Sequence, residues 1–353
     1  MATNLRKELL ENRNINIDFI AGPDSYKRLP DLIREASQTG EKTFDVTLSE
    51  FETYSDIQPL RKEGTNAWIA VMRGCNNFCT FCVVPYTRGR ERSRGVENVV
   101  EEVRRLADEG FKQVTLLGQN VNSYSHDGKD FADLLESISR IDGIKRIRFT
   151  SPHPKDFPDK LIELVATNPK VCKQMHLPLQ AGNNRILDLM NRTYTQEEFL
   201  SLVDKMRARI PNVSMTTDII AGFPTETDEE FEDTFRVMQK VEFDAAYIFK
   251  YSERKNTLAS KKYPDDIPED IKGQRVLRLS NLQKDMALKR NLQHVGQTHA
   301  VLVEYSDRNT KEWKGRTDGG QLVTLPGNHF QIGQWVNVTI TAATPHTLKG
   351  NIV

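Results

Sequence analysis

The feature that most limits what this chain can fold into is a six-fold alternation between residues 67 and 250. Short apolar runs alternate there with longer segments whose apolar residues recur at helical spacing. The strands read as Trp68 to Met72, Gln113 to Leu117, Arg146 to Thr150, Gln174 to Leu179, Val213 to Ile220 and Ala245 to Lys250. The helices between them read as Val96 to Glu109, Phe131 to Ile141, Lys160 to Ala166, Glu197 to Arg209 and Asp228 to Val241. Such alternation implies parallel pairing through right-handed crossovers. Six units fall short of the eight that close a barrel. The expected core is therefore a curved, partial (β/α)6 barrel in an α/β chain.

The flanks read differently. Leu5 to Glu11 is helical, Ile17 to Gly22 is a short strand, and a second helix carries Leu29, Leu32 and Ile33. Helix, strand and helix are too little to close a core, so this start reads as the back half of an α/β unit with a part missing upstream. A polar linker follows, broken by Gly40, Pro59 and Gly64, with one edge strand at Phe44 to Thr47. Beyond Tyr251 a charged helix from Glu269 to His294 is expected to leave the barrel. Five short strands after it, near Ala300, Glu312, Leu322, Trp335 and Leu348, suggest a small all-β barrel. The expected units are 1–64, 65–294 and 295–353.

Three of the four cysteines lie in Arg73-Gly74-Cys75-Asn76-Asn77-Phe78-Cys79-Thr80-Phe81-Cys82, spaced C-x3-C-x2-C directly after the first strand. Barrel enzymes carry their active sites on the loops after the strands. Thiolates this close can turn toward one point, as a metal or an iron–sulfur cluster requires. Three do not complete a tetrahedral zinc site, so a zinc knuckle would need a distant His153 or His176. They can hold three irons of a cubane and leave the fourth open to a small ligand. Cys172 precedes the fourth strand and reads as a small apolar residue at the opposite end.

The cysteines form no disulfide framework, which points to a reducing, cytoplasmic setting. No apolar run approaches the roughly 20 residues that span a bilayer, so no membrane association is expected. The net charge of +0 argues against a basic coat, leaving nucleic-acid contact to a local patch. Arg88, Arg90, Arg92 and Arg94 form the strongest basic run and suggest phosphate recognition; a solvated loop with internal Arg–Glu pairing is the plain alternative. Gly118, Gln119 and Asn120 follow the second strand, Ser151 the third, Gln180 the fourth, and Asp218 with Gly222 close the fifth. Each alone is ordinary turn chemistry; together they face one rim.

With Phe81 before its last cysteine and the β/α repeat behind it, the loop resembles that of the radical S-adenosylmethionine (SAM) superfamily. The resemblance implies that Cys75, Cys79 and Cys82 hold a [4Fe–4S] cluster whose open iron chelates SAM. It also implies that the cluster cleaves SAM to a 5′-deoxyadenosyl radical, and that Phe81 and the strand-end residues lie against the cofactor. The run Arg73 to Arg94, His176-Leu177-Pro178-Leu179-Gln180 and Gly222-Phe223-Pro224-Thr225-Glu226-Thr227 resemble the methylthiotransferase branch. Leu116 to Tyr124 is similar to members acting on N6-isopentenyladenosine in tRNA, and the terminal barrel resembles an RNA-binding TRAM domain.

Implied with it are a methylthio group added at C2 of that adenosine beside the anticodon, tRNA as partner, a flavodoxin or ferredoxin as electron donor, and a monomer. Another tRNA adenosine, a ribosomal protein as substrate, or a zinc-stabilised RNA-binding module without catalysis stay open. The family carries three further cysteines for an auxiliary [4Fe–4S] cluster in an N-terminal domain. Residues 1 to about 38 resemble only its end, and those cysteines are absent. The expectation is a shortened form that binds one cluster and SAM but does not complete methylthiolation alone.

Overall fold

A computed structural model of the protein describes residues 2–12, 14–57, 59–61, 64–327 and 329–353. Positions 58, 62 and 63 of the expected linker lie outside them. The N-terminal segment forms α1 (Ala2–Glu11), β1 (Phe19–Ala21), α2 (Leu29–Thr39) and β2 (Thr43–Asp45). The expected edge strand exists, and it pairs in parallel with β1, Phe19 opposite Thr43.

The alternating region follows as β3 (Asn66–Ala70), α3 (Val84–Arg88), α4 (Val96–Asp108), β4 (Gln113–Leu117), α5 (Phe131–Ser139) and β5 (Arg146–Phe149). It continues with α6 (Asp159–Thr167), β6 (Gln174–His176), α7 (Asn184–Leu189), α8 (Gln196–Arg209), β7 (Ser214–Ala221), α9 (Asp228–Val241) and β8 (Ala245–Lys250). Strands β3, β4 and β5 pair in parallel, as do β6, β7 and β8, and a parallel bridge from Ile147 to Val171 joins the two sets. Among the described residues nothing pairs β3 with β8, so the six strands make an open barrel. Strand residues such as Ile69, Leu116, Ile147, Met175, Met215 and Ile219 are buried in one core with Val99, Leu134, Leu161, Phe199 and Phe231 of the helices.

Caps explain why several helices start where the sequence places them. Asp130 with Asp133, Thr195 with Glu198 and Thr227 with Glu230 each exchange side chain and backbone bonds at the first turn. Strand β6 stops at His176, three residues before the expected Leu179, because Pro178 has no N–H to give the ladder. The short helices α3 and α7 escape a periodicity argument, having too few turns to show one.

The long helix α11 (Glu269–Leu292), which follows α10 (Leu258–Lys262), corrects an expectation. It does not leave the barrel but packs along β8 and α9. Its buried stripe is Lys272, Arg275, Leu279, Gln283 and Met286, largely polar residues at helical spacing. Arg275 reaches Glu226 at 2.7 Å and Asp228 at 2.8 Å, and Gln283 donates to the Phe243 carbonyl at 2.8 Å. A stripe sealed by ion pairs and amides looks solvated in the sequence.

Strands β9 (Thr298–Ser306), β10 (Trp313–Arg316), β11 (Leu322–Leu325), β12 (Trp335–Ala343) and β13 (Leu348–Ile352) close a barrel in the order β9-β10-β11-β13-β12. Its core is Val301, Val303, Val323, Leu325, Val338, Ile340 and Leu348. It docks on the amino-terminal ends of the large barrel's strands. Arg146 donates to the carbonyls of Arg316 (2.7 Å) and Ala300 (2.8 Å) and lies 4.4 Å from the Trp335 ring centroid. Arg148 donates to the Thr317 carbonyl at 2.8 Å, and the Lys173 N–H to Asp318 at 3.0 Å. Cys172 is buried at this end, its thiol pushed up to about 12 by burial.

Replacing Arg146 with Ala removes one donor from each of two carbonyls, and the stack with them. We expect a loss of about 2 kcal/mol or more in thermal or urea unfolding, with the terminal barrel newly released by limited proteolysis after α11.

Candidate active site at the carboxyl rim

Beyond β3 the chain makes a two-residue antiparallel pair, Met72 and Arg73 against Ser93 and Arg92, which turns residues 74–91 into a loop over the rim. Gly74 closes its neck with φ of 79°, and a Cβ there would lie 2.0 Å from the Arg90 carbonyl oxygen. The Cys75 N–H donates to Gly89 O at 3.2 Å and the Gly74 N–H to Gln119 Oε1 at 2.7 Å. At the far end Asn191 donates to the carbonyls of Asn77 (3.2 Å) and Phe78 (3.0 Å). Thr80 is held by Met190 O at 3.0 Å and Leu189 O at 2.7 Å, and its own carbonyl accepts from Ala259 N–H at 2.8 Å. The loop is thus clamped from β4, α7 and α10.

Cys75 is buried, while Cys79 and Cys82 are half-buried. Burial pushes the Cys75 thiol up to about 11, and it raises Cys82 as well. Cys82 Sγ accepts from the Val84 N–H at 3.5 Å, and Cys79 Sγ from Arg192 Nη1 at 3.3 Å. Neither candidate histidine turns to the thiols. His176 binds Thr216 (2.9 Å) and Asp218 (3.2 Å), and His153 Nδ1 accepts from the Lys155 N–H at 3.2 Å. Among the described residues no three His, Cys, Asp or Glu side chains converge on one metal-ion position.

The strand-end residues share the rim with the loop. At Gly118 a Cβ would sit 2.6 Å from Met72 Cγ, so only a bare backbone fits beneath the loop's base. The Gln119 side chain is committed to the loop neck. Asn120 is buried, donating to Glu91 at 3.2 Å, and its Oδ1 is buried with no partner among the described residues. Glu91 also accepts from the Asn76 N–H at 3.2 Å, tying loop to rim. Ser151 (φ 60°) and Gln180 (φ 69°) both adopt left-handed backbone, uncommon for such residues and concentrated at functional sites. Asp218 faces His176, and the Gly222 N–H donates to Glu226 at 2.8 Å. Phe81 is half-buried against the main core.

The four arginines do not stay together, which corrects half of the expectation for them. Arg92 is buried, its guanidinium 3.1 Å from Asp24 and bonded to Ser49 O. Arg94 is buried against Glu102 at 2.8 Å, Ala70 O at 2.9 Å and Asn98. Both are bound inside the protein and unavailable to a phosphate. The extended backbone around Ser93 sends alternate side chains inward, which a basic run in sequence does not reveal. Arg90 is exposed, its guanidinium 4.4 Å from the Phe78 ring centroid, and Arg88 is half-buried at the end of α3. Asn191 and Arg192, which also hold the loop, lie outside the runs that the sequence analysis singles out.

Residues 69–238 match the Radical SAM superfamily and residues 292–353 the TRAM domain. The chain is a radical SAM protein with a terminal TRAM barrel. Over 99% of its length it is 45% identical to the tRNA-2-methylthio-N(6)-dimethylallyladenosine synthase of Chloroherpeton thalassium, covering 78% of that protein. The enzymes of the same name from Phocaeicola vulgatus (44% over all of this chain, 78% of theirs) and Carboxydothermus hydrogenoformans (45% over 98%, 79% of theirs) are similarly related. The chain belongs to the family of tRNA-2-methylthio-N(6)-dimethylallyladenosine synthases. Among solved structures, coproporphyrinogen III oxidase of Escherichia coli superposes with a TM-score of 0.47 at 15% identity, over 64% of this chain and 54% of that one.

Gly74→Ala would force the loop neck apart. Anaerobic reconstitution of that variant should take up much less iron than the native protein, while far-ultraviolet circular dichroism stays close to native.

Proposed function

We propose that this protein is a radical SAM methylthiotransferase that places a methylthio group on C2 of N6-dimethylallyladenosine (N6-isopentenyladenosine) in tRNA, next to the anticodon. The observation that carries the reading is the set of three thiols on the carboxyl rim of an open barrel, in a chain of this family. The donor set suits an iron–sulfur cluster: three soft sulfurs, no carboxylate or imidazole among them, and N–H donors aimed at two of the sulfurs. Cys75, Cys79 and Cys82 would hold the [4Fe–4S] cluster. With SAM bound, the cluster supplies a carbon-centred radical able to take hydrogen from an unreactive C–H bond.

The protein's own groups bind and orient. Asn120 Oδ1, buried and without a partner among the described residues, suits the ammonium of SAM, with Gly118 allowing close approach and Gln119 fixing the loop above it. Ser151, Gln180, Asp218 and Gly222 lie where ribose hydroxyls and the adenine edge would meet the strand ends, and Phe81 flanks the last cysteine. Arg90 and Arg88 are the arginines of the run left to meet RNA phosphate, with the terminal barrel adding a second contact. Three of the four cysteines would supply ligands for one cluster, while Cys172 is buried at the far end; in this reading the family's auxiliary cluster finds no ligands among the four. A low-potential donor such as a flavodoxin or ferredoxin, a monomeric state, a cytoplasmic location and a division into 1–64, 65–294 and 295–353 complete the reading. Among the described residues, no helix is long and apolar enough to cross a membrane.

The test is anaerobic reconstitution with iron and sulfide counts, then incubation with SAM, reductant and tRNA carrying N6-dimethylallyladenosine. Formation of 5′-deoxyadenosine should depend on all three cysteines, and digested tRNA should carry any modification at that adenosine. A full cubane in Cys75→Ala, or product on a ribosomal protein instead, would overturn the reading. For RNA contact, Arg90→Ala should weaken tRNA binding a few-fold and reduce the log–log salt slope by about one. Arg92→Ala should instead lower the melting temperature.

A further inference from the structure

A parallel sheet ordinarily has both faces covered, and a closed barrel fills its lumen with side chains. Here the inner face is left open along two unpaired edges, β3 and β8. Among the described residues of the six strands, the exposed large apolar side chains are Trp68 (56% exposed), Tyr247 (57%) and Phe249 (54%). All three lie on those edges, and all three face the lumen. On β3, Ala67 and Ile69 are buried in the helix-covered core, so Trp68 between them points the other way. On β8, Ala246 and Ile248 pack against the same core, and Tyr247 and Phe249 alternate with them. Tyr247 pairs with Asp218, and Phe249 with Ile220, along the neighbouring strand β7. The floor behind these aromatics is polar. His176 lies 2.9 Å from the Thr216 hydroxyl and 3.2 Å from the Asp218 carboxylate, its ring centroid 6.2 Å from that of Tyr247. The Gln180 N–H donates to the Asp218 carbonyl at 2.8 Å, so the slot is continuous with the carboxyl rim.

We propose that Trp68 on one edge, and Tyr247 with Phe249 on the other, form an aromatic clamp that selects the dimethylallyl-bearing adenine of the RNA. The inference rests on the reading that this chain acts on N6-dimethylallyladenosine in tRNA. A base turned out of its stack offers two π-faces, which aromatic rings stack whatever its sequence context. The dimethylallyl group adds a branched apolar arm to one edge of that base. Burying the arm against rings otherwise left to water is favourable, and exposed apolar clusters of this kind mark binding surfaces. Plain adenine offers the same faces without the arm, so the arm is what the clamp discriminates. Aromatic lips over a polar floor match a planar polar base that carries an apolar arm. The gap between β3 and β8 admits the base from the side, while the thiol loop covers the rim.

The test is binding of fluorescently labelled anticodon stem-loop RNA to the reconstituted full chain without SAM, followed by anisotropy. Two hairpins are compared, identical except that one carries N6-dimethylallyladenosine where the other has adenosine. The native chain should hold the dimethylallylated hairpin about tenfold more tightly. Trp68→Ala and Phe249→Ala should each bring that ratio close to one, and Trp68→Phe should keep most of it. Thermal unfolding of all three should stay native, since these exposed side chains support no core. Arg90→Ala should weaken both hairpins alike and leave the ratio intact, as loss of a phosphate contact does. A ratio that survives both alanine variants would overturn the clamp and leave the substrate reading standing. Equal affinity of the native chain for the two hairpins would overturn the clamp as well. Self-association of the native chain that Trp68→Ala abolishes would make the aromatics a contact between copies, again overturning it. If the native chain bound neither hairpin, the substrate reading would fail first, and this inference with it.

Discussion

The rim is built around the contact between Gly74 and the Arg90 carbonyl. At 2.0 Å from a would-be Cβ, this neck admits only glycine, and it lets a loop carrying three thiols leave and rejoin the barrel within four strand residues. Once the neck is closed, Gln119 and Glu91 fasten the loop to the second strand end, and Asn191 and Thr80 fasten its far side to α7. The backbone that carries the thiols is thereby held on both sides, with Cys75 buried and Cys79 and Cys82 half-buried.

Charge is arranged around this loop with a consistent logic. Arginines near it that serve the fold are neutralised by carboxylates: Arg73 and Arg92 by Asp24, Arg94 by Glu102. Asp24 belongs to the segment between β1 and α2, so the N-terminal unit is wired directly to the neck through Arg73, which also stacks 4.5 Å over Tyr54. Arg192 is the exception, directed at sulfur. At the opposite end of the barrel, Arg146 and Arg148 fix the terminal barrel through backbone carbonyls.

The residues most easily read in the sequence were those whose role depends on local spacing. C-x3-C-x2-C and the alternation of strands and helices both rest on residues close together in the chain. The misreadings came where a role depends on a distant partner. Arg92 and Arg94 look like a basic patch until Asp24 and Glu102 are placed beside them, 68 residues away for the first pair. Helix α11 looks solvated until Glu226 and the Phe243 carbonyl accept from its inward face. Arg192 is 113 residues from Cys79, and nothing in its neighbourhood marks it.

By itself the sequence determined the class of fold, the three thiols and the side of the barrel they occupy, because hydrophobic period and strand order are short-range properties. Family membership, too, is written in the sequence. Only the tertiary structure decided which arginines are free, where the long helix lies, and which cation faces the thiols. Those answers depend on contacts between segments far apart in the chain, and burial, more than residue type, decides what a charge there can do.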